Sequence, residues 1–92
     1  MRLEARFTGR VQGVGFRYIT HRIAQHYDVV GFVRNMPDGS VQIVAEGATF
    51  EGVRGLHAFL DEVNDVMSAH VHDQQRWESE STGEFDSFEV RH

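Results

Sequence analysis

The 92-residue chain contains no cysteine, which rules out disulfides, thiolate nucleophiles and cysteine-based zinc centres. No apolar run approaches the roughly 18 residues that a membrane span requires, so no membrane partner is expected. The first residues, Met1-Arg2-Leu3-Glu4-Ala5-Arg6, alternate charge and lack the apolar core of a signal peptide, and a cytoplasmic location is expected. Positive charge is scarce: 9 basic residues stand against 14 acidic ones, a net −5 with histidine neutral. That balance argues against nucleic acid as a partner. Any anion must therefore be caught by a local site that works against the overall field. Proline occurs once, and no linker, repeat or low-complexity tract interrupts the chain, so residues 1–92 are expected to form a single domain.

What is present organises into short elements. Leu3 to Phe7 alternates apolar and charged residues, as a half-buried strand does. Phe16, Ile19, Ile23 and Tyr27 fall on one helical stripe and predict a helix from about Arg17 to His26. The lone proline sits in Met36-Pro37-Asp38-Gly39, a turn between Val29–Asn35 and Val41–Glu46, which together read as a β-hairpin. In its second strand Val41, Ile43 and Ala45 are the set expected to face the core.

Val53, Leu56, Leu60 and Val63 predict a second helix over Thr49–Asn64, with Thr49 as its N-cap. Gly52 and Gly55 each cost that helix about 1 kcal/mol against alanine, so it is expected to be the weaker of the two. Two further strands, His70–Glu78 and Phe85–Arg91, flank Thr82-Gly83. The order β-α-β-β-α-β with a short terminal strand predicts an α+β, ferredoxin-like sandwich: an antiparallel sheet with two helices on one face.

One segment is too rich in glycine for the interior of an element. Gly9-Arg10-Val11-Gln12-Gly13-Val14-Gly15-Phe16-Arg17 joins a strand to a helix N-terminus. Such a junction concentrates unpaired backbone N–H groups at the positive end of the helix dipole. Glycines let the backbone curl towards an oxyanion, and an arginine at the helix start adds a fork of donors matched to phosphate. An anion cradle is one reading; a turn that needs glycine only for its dihedrals is the other. The loop is not a Walker A motif, for it lacks the closing Gly-Lys-Ser/Thr. Nor is it a dinucleotide fingerprint, whose third glycine is replaced by Tyr18.

The segment resembles the first signature of the acylphosphatase family. The second signature is also present, as Gly31-Phe32-Val33-Arg34-Asn35-Met36-Pro37-Asp38-Gly39-Ser40-Val41 followed by Gly47. The resemblance is close from Leu3 to about Gly47 and looser to the end of the chain, with departures at Phe7, Asn64-Asp65 and His92.

It implies hydrolysis of a carboxyl–phosphate mixed anhydride, with no cofactor and no metal. Gln12, Gly13, Val14, Gly15, Phe16 and Arg17 would cradle the phosphate, and Asn35 would hold the attacking water. Arg17 and Asn35 are the implied catalytic residues. Gln12 is also placed to brace the loop, and Arg34, alternating with Asn35, should face the other side of the sheet. The partner is a small acyl phosphate; inorganic phosphate or sulfate should fit the same cradle, and a monomer is expected. The alternative is a non-catalytic module on the same fold, binding a small phosphorylated metabolite or another protein.

Other features carry less. Among six histidines, His70 and His72 could share a strand face, but no third metal ligand is evident nearby. His21 and His26 are five apart and do not align on a helix. Trp77 and Phe85 read as strand or core aromatics. An RNA-recognition module shares the element order, yet Val41-Gln42-Ile43-Val44-Ala45 offers neither the aromatics nor the basic residues it needs.

Overall fold

A computed structural model describes residues 1–92. Its elements are β1 (Arg2–Gly9), α1 (Phe16–Ala24), β2 (Val29–Asn35), β3 (Val41–Gly47), α2 (Phe50–Val66), β4 (Val71–Ser79) and β5 (Phe88–Arg91). They build one five-stranded sheet in the order β4-β1-β3-β2-β5. This is the ferredoxin-like arrangement expected from the sequence. The first four strands are antiparallel throughout, and β5 adds to β2 in parallel.

Alternation sorts the strand residues. Leu3, Ala5 and Phe7 of β1, Val33 of β2, and Val41, Ile43 and Ala45 of β3 are fully buried beneath the helices. The helices answer with Phe16, Ile23 and Ala24 from α1 and Leu56, Phe59, Leu60 and Val63 from α2. Aromatic edges knit the layers: Phe7 meets Phe16 at 5.2 Å between ring centroids, and Phe59 meets Phe88 at 5.5 Å. No helix is long and apolar enough to cross a membrane.

Gly52 of α2 has a tertiary cause. A Cβ on Gly52 would stand 1.8 Å from the Asp28 carbonyl oxygen, so glycine allows the helix to lie against the turn after α1. The Thr49 hydroxyl caps this end, accepting from the Gly52 N–H at 3.1 Å.

Thr82-Gly83 does not turn a hairpin. β4 and β5 occupy opposite edges of the sheet, so residues 80–87 cross the sheet as a strap. The strap is tied to the buried carboxylate of Glu46, which accepts from the Thr82 N–H (2.9 Å), the Thr82 hydroxyl (2.9 Å) and the Gly83 N–H (3.1 Å). Phe85 precedes β5 within this strap. It packs on Phe32 at 5.9 Å, on the sheet face away from the helices. Trp77, on the same face, is a half-exposed strand residue rather than part of the core.

Candidate active site

The strand ends fix where chemistry can occur. β1, β2 and β5 run in the same direction and finish at one end of the molecule, where the segment after Gly9 arches over to α1. Its side chains alternate in purpose. Val11 and Phe16 are buried, and Val14 packs against the core. The Gln12 side-chain amide donates to the carbonyls of Met36 (2.8 Å) and Ser40 (2.9 Å), clamping the arch to the β2–β3 turn. That turn is firm: Met36 N–H bonds to Ser40 O at 2.8 Å, and the Asp38 carboxylate accepts from the Ser40 N–H and hydroxyl. The Ser40 hydroxyl, helped by the Ser40 N–H, holds the Asp38 carboxyl below its usual range.

Between these anchors stand Gly13 (φ 77°) and Gly15 (φ 78°), both left-handed. Side chains rarely adopt this conformation, and it turns successive N–H groups towards one point, as in a backbone nest. Gly15 is also the N-cap of α1, with no side chain to cap it. None of the backbone N–H groups from Val11 to Tyr18 donates to a protein acceptor. Eight adjacent donors at the positive end of a helix dipole make a site in want of an anion.

Over this arch lies a hollow of about 190 Å³ lined by Val11, Gly13, Gly15, Phe16, Arg17, Tyr18 and Asn35. It is smaller than the roughly 300–1,000 Å³ pockets of drug-sized ligands, which suits a compact charged group. The structure thus brings Arg17 and Asn35 together, 18 residues apart in sequence, beside Gly13, Gly15 and Phe16. Gln12 and Val14 do not line the hollow; the Gln12 amide is spent on the β2–β3 turn and Val14 packs against the core.

Arg17 is held from the other side. Its Nη1 donates to the Arg91 carbonyl at 3.0 Å and lies 3.3 Å from His92 Nδ1. Arg17 takes part in no ion pair with a carboxylate. The Asn35 amide closes β2 with no hydrogen-bond partner in the protein and is free to bind solvent or ligand. Arg34 points to the opposite sheet face, where its Nε donates to Gln42 at 2.7 Å. No group of three histidine, aspartate or glutamate side chains is arranged to hold a metal ion. Nothing in the sequence signalled Arg91 and His92, because they reach the site only through the pairing of β5 with β2.

A sequence profile described as acylphosphatase matches residues 3–90. The chain belongs to the acylphosphatase family. Acylphosphatase activity on a small acyl phosphate goes with that membership. An acylphosphatase of Salinibacter ruber is 43% identical over 91 residues, covering 98% of this chain and 92% of the relative. One from Paenarthrobacter aurescens is also 43% identical, over 93 residues, covering 98% and 93%. In structure, the chain resembles the crystal structure of acylphosphatase from Bacillus subtilis with a TM-score of 0.83 at 31% identity, over 99% of this chain and 98% of that one. All three similarities extend through the C-terminal half, beyond the two signatures, where the resemblance read from the sequence is looser.

Proposed function

We propose that the hollow between the arch and β2 hydrolyses acyl phosphates, with the arch and Arg17 binding the phosphoryl group and Asn35 placing the water. The observation that carries this reading is that the arch whose N–H groups from Val11 to Tyr18 are unpaired lines, through Gly13, Gly15 and Phe16, the same hollow as Arg17 and Asn35. In the proposed step the water oxygen attacks phosphorus and the bond from phosphorus to the acyl oxygen breaks. The electron pair of that bond leaves on the carboxylate, and the water's protons pass to phosphate and solvent. A carboxylate is a stable leaving group, so no general acid is needed. Catalysis then rests on positioning and charge stabilisation. Arg17 and the N–H groups meet the oxygens where negative charge gathers, and the Asn35 amide sets the line of attack.

A pure binding module has no use for an unpartnered amide at Asn35, which favours the catalytic reading over the non-catalytic one. Inorganic phosphate or sulfate should occupy the same cradle and compete with substrate. The same reading takes the protein as a cytoplasmic monomer. Its exposed large apolar side chains, Tyr18, Phe50, Val66 and Trp77, are scattered rather than gathered into a patch.

The test is hydrolysis of benzoyl phosphate with and without EDTA. The wild type should turn over at a rate the chelator does not change, and Arg17→Ala and Asn35→Ala should each lose about 10²- to 10³-fold. An inactive wild type, or folded variants at full rate, would sink the reading. Loss of activity in EDTA would point to a metal instead.

A further inference from the structure

Arg17 offers its guanidinium in two halves. The Nη1 nitrogen carries two N–H bonds. One goes to the Arg91 carbonyl at 3.0 Å, and the other meets His92 Nδ1 at 3.3 Å. The Nε–H and Nη2 edge has no protein partner, and it is the edge a phosphate can take in a two-point grip. The orientation of that free edge is therefore set by what holds Nη1. On one side it is a backbone carbonyl, fixed because the Arg91 side chain stacks over the Phe32 ring at 3.9 Å on the opposite face of the sheet. On the other it is an imidazole.

We infer that His92 is a positioning residue for Arg17, holding the guanidinium through an unprotonated Nδ1, and that protonating this ring loosens the grip on phosphate. The inference rests on the reading of Arg17 as the phosphate-binding arginine. An arginine only donates, so the contact requires Nδ1 to be the accepting nitrogen, with any ring proton on Nε2. A proton on Nδ1 replaces an acceptor with an N–H facing a cation. The contact then becomes repulsive and only the Arg91 carbonyl remains.

No aspartate or glutamate side chain of the neighbouring elements pairs with Arg17 or His92. From α1, the groups on this side are Arg17 and, one turn further on, His21. From β5, Glu89 and Arg91 alternate to the opposite face, as Arg34 of β2 does. Asp38, in the β2–β3 turn, is engaged by Ser40. The grip should therefore weaken when acidification protonates the ring.

The experiment compares KM and kcat for benzoyl phosphate from pH 5 to 8 in the wild type, His92→Asn, His92→Ala and His21→Gln. Asparagine can place an accepting oxygen where Nδ1 stands and cannot take up a proton. At pH 8, His92→Asn should match the wild type within about twofold, while His92→Ala should raise KM about three- to tenfold with a smaller change in kcat. Towards pH 5 the wild-type KM should climb to that of His92→Ala, relative to a level His92→Asn. His21→Gln should keep the wild-type profile.

On an Arg17→Ala background, His92→Ala should add nothing further. Identical KM profiles for the wild type and His92→Asn would overturn the inference, as would an unchanged KM in His92→Ala at pH 8. A wild type that is active but insensitive to His92 overturns this inference alone. A wild type that hydrolyses nothing overturns the reading of the site as well.

Discussion

Arg17 and Asn35 meet in one hollow but depend on different supports, and their losses should look different. Arg17 faces ground-state and transition-state phosphate oxygens alike, so Arg17→Ala should raise KM as well as lower kcat. Arg17→Lys should recover little, because an ammonium lacks the planar fork and cannot reproduce the hold on the Arg91 carbonyl. Asn35→Ala should act mainly on kcat, since a water-positioning amide works along the reaction path and contributes little to binding. Steady-state kinetics separate the two, and equal effects on KM would contradict the division.

Gly15 is open to a third test. A side chain there meets no atom within 4 Å, so the strain of Gly15→Ala comes from its φ of 78° alone. About 1–2 kcal/mol of backbone strain should appear as lost stability or as a displaced cradle. Both can be read, from urea unfolding and from the inhibition constant of inorganic phosphate.

At the scale of elements, the periodicities were legible and the reasons for the exceptions were not. The alternation in β1 and β3 and the stripes of α1 and α2 named most of the core. Val53 and Ile19, on those stripes, are only partly buried, and Phe59 and Thr20 take up the buried surface instead. Gly52 looked like a flaw in α2 when helix propensity was the only criterion. In the structure it lets the helix meet the Asp28 carbonyl, a contact 24 residues away in sequence. Gly52→Ala therefore sets a propensity gain of about 1 kcal/mol against an overlap that must push helix and turn apart. The overlap should win, with a net loss of about 1–3 kcal/mol in urea unfolding. Thr49→Ala should cost about 1 kcal/mol through the lost cap. A stabilised Gly52→Ala would show that the turn yields more easily than its packing indicates.

Across the whole molecule, the strap of residues 80–87 carries the chain from one edge of the sheet to the other, and Glu46 secures it. Burial alone would raise the Glu46 carboxyl above its ordinary range. The hydrogen bonds from Thr82 and Gly83, with the Arg2 guanidinium 3.8 Å away, outweigh that and lower it. A carboxyl lowered in the folded state contributes stability that is present above its unfolded value and lost as pH falls through the folded one. The wild type should therefore lose stability on acidification below the ordinary carboxylate range. Glu46→Gln should be less stable at pH 7 by about 1–3 kcal/mol, and the gap should close as the pH falls. Thermal unfolding from pH 7 to 3 measures it; a gap constant across that range would contradict the assignment. At any one pH above 5, Glu46→Gln should leave the kinetics close to those of the wild type, because the strap lies at the end of the sheet opposite the hollow.

The sequence by itself determined the element order, most of the core and the glycine-rich arch with Arg17 at its helix end, whereas Asn35 became a candidate only through the resemblance to the acylphosphatase signatures. The former are properties of neighbouring residues: a period of two or 3.6, a glycine where the backbone must turn left-handed, an arginine at a helix start. Tertiary structure decided what those residues could not. It turned Gln12 into a clamp, laid β5 parallel to β2, tied the strap to Glu46 and presented the Arg91 carbonyl and His92 to Arg17. Each of these contacts joins residues that only sheet pairing brings together, 74 positions apart for Arg17 and Arg91. No local pattern encodes a partner at that separation, because its address is set by the packing of the whole sheet.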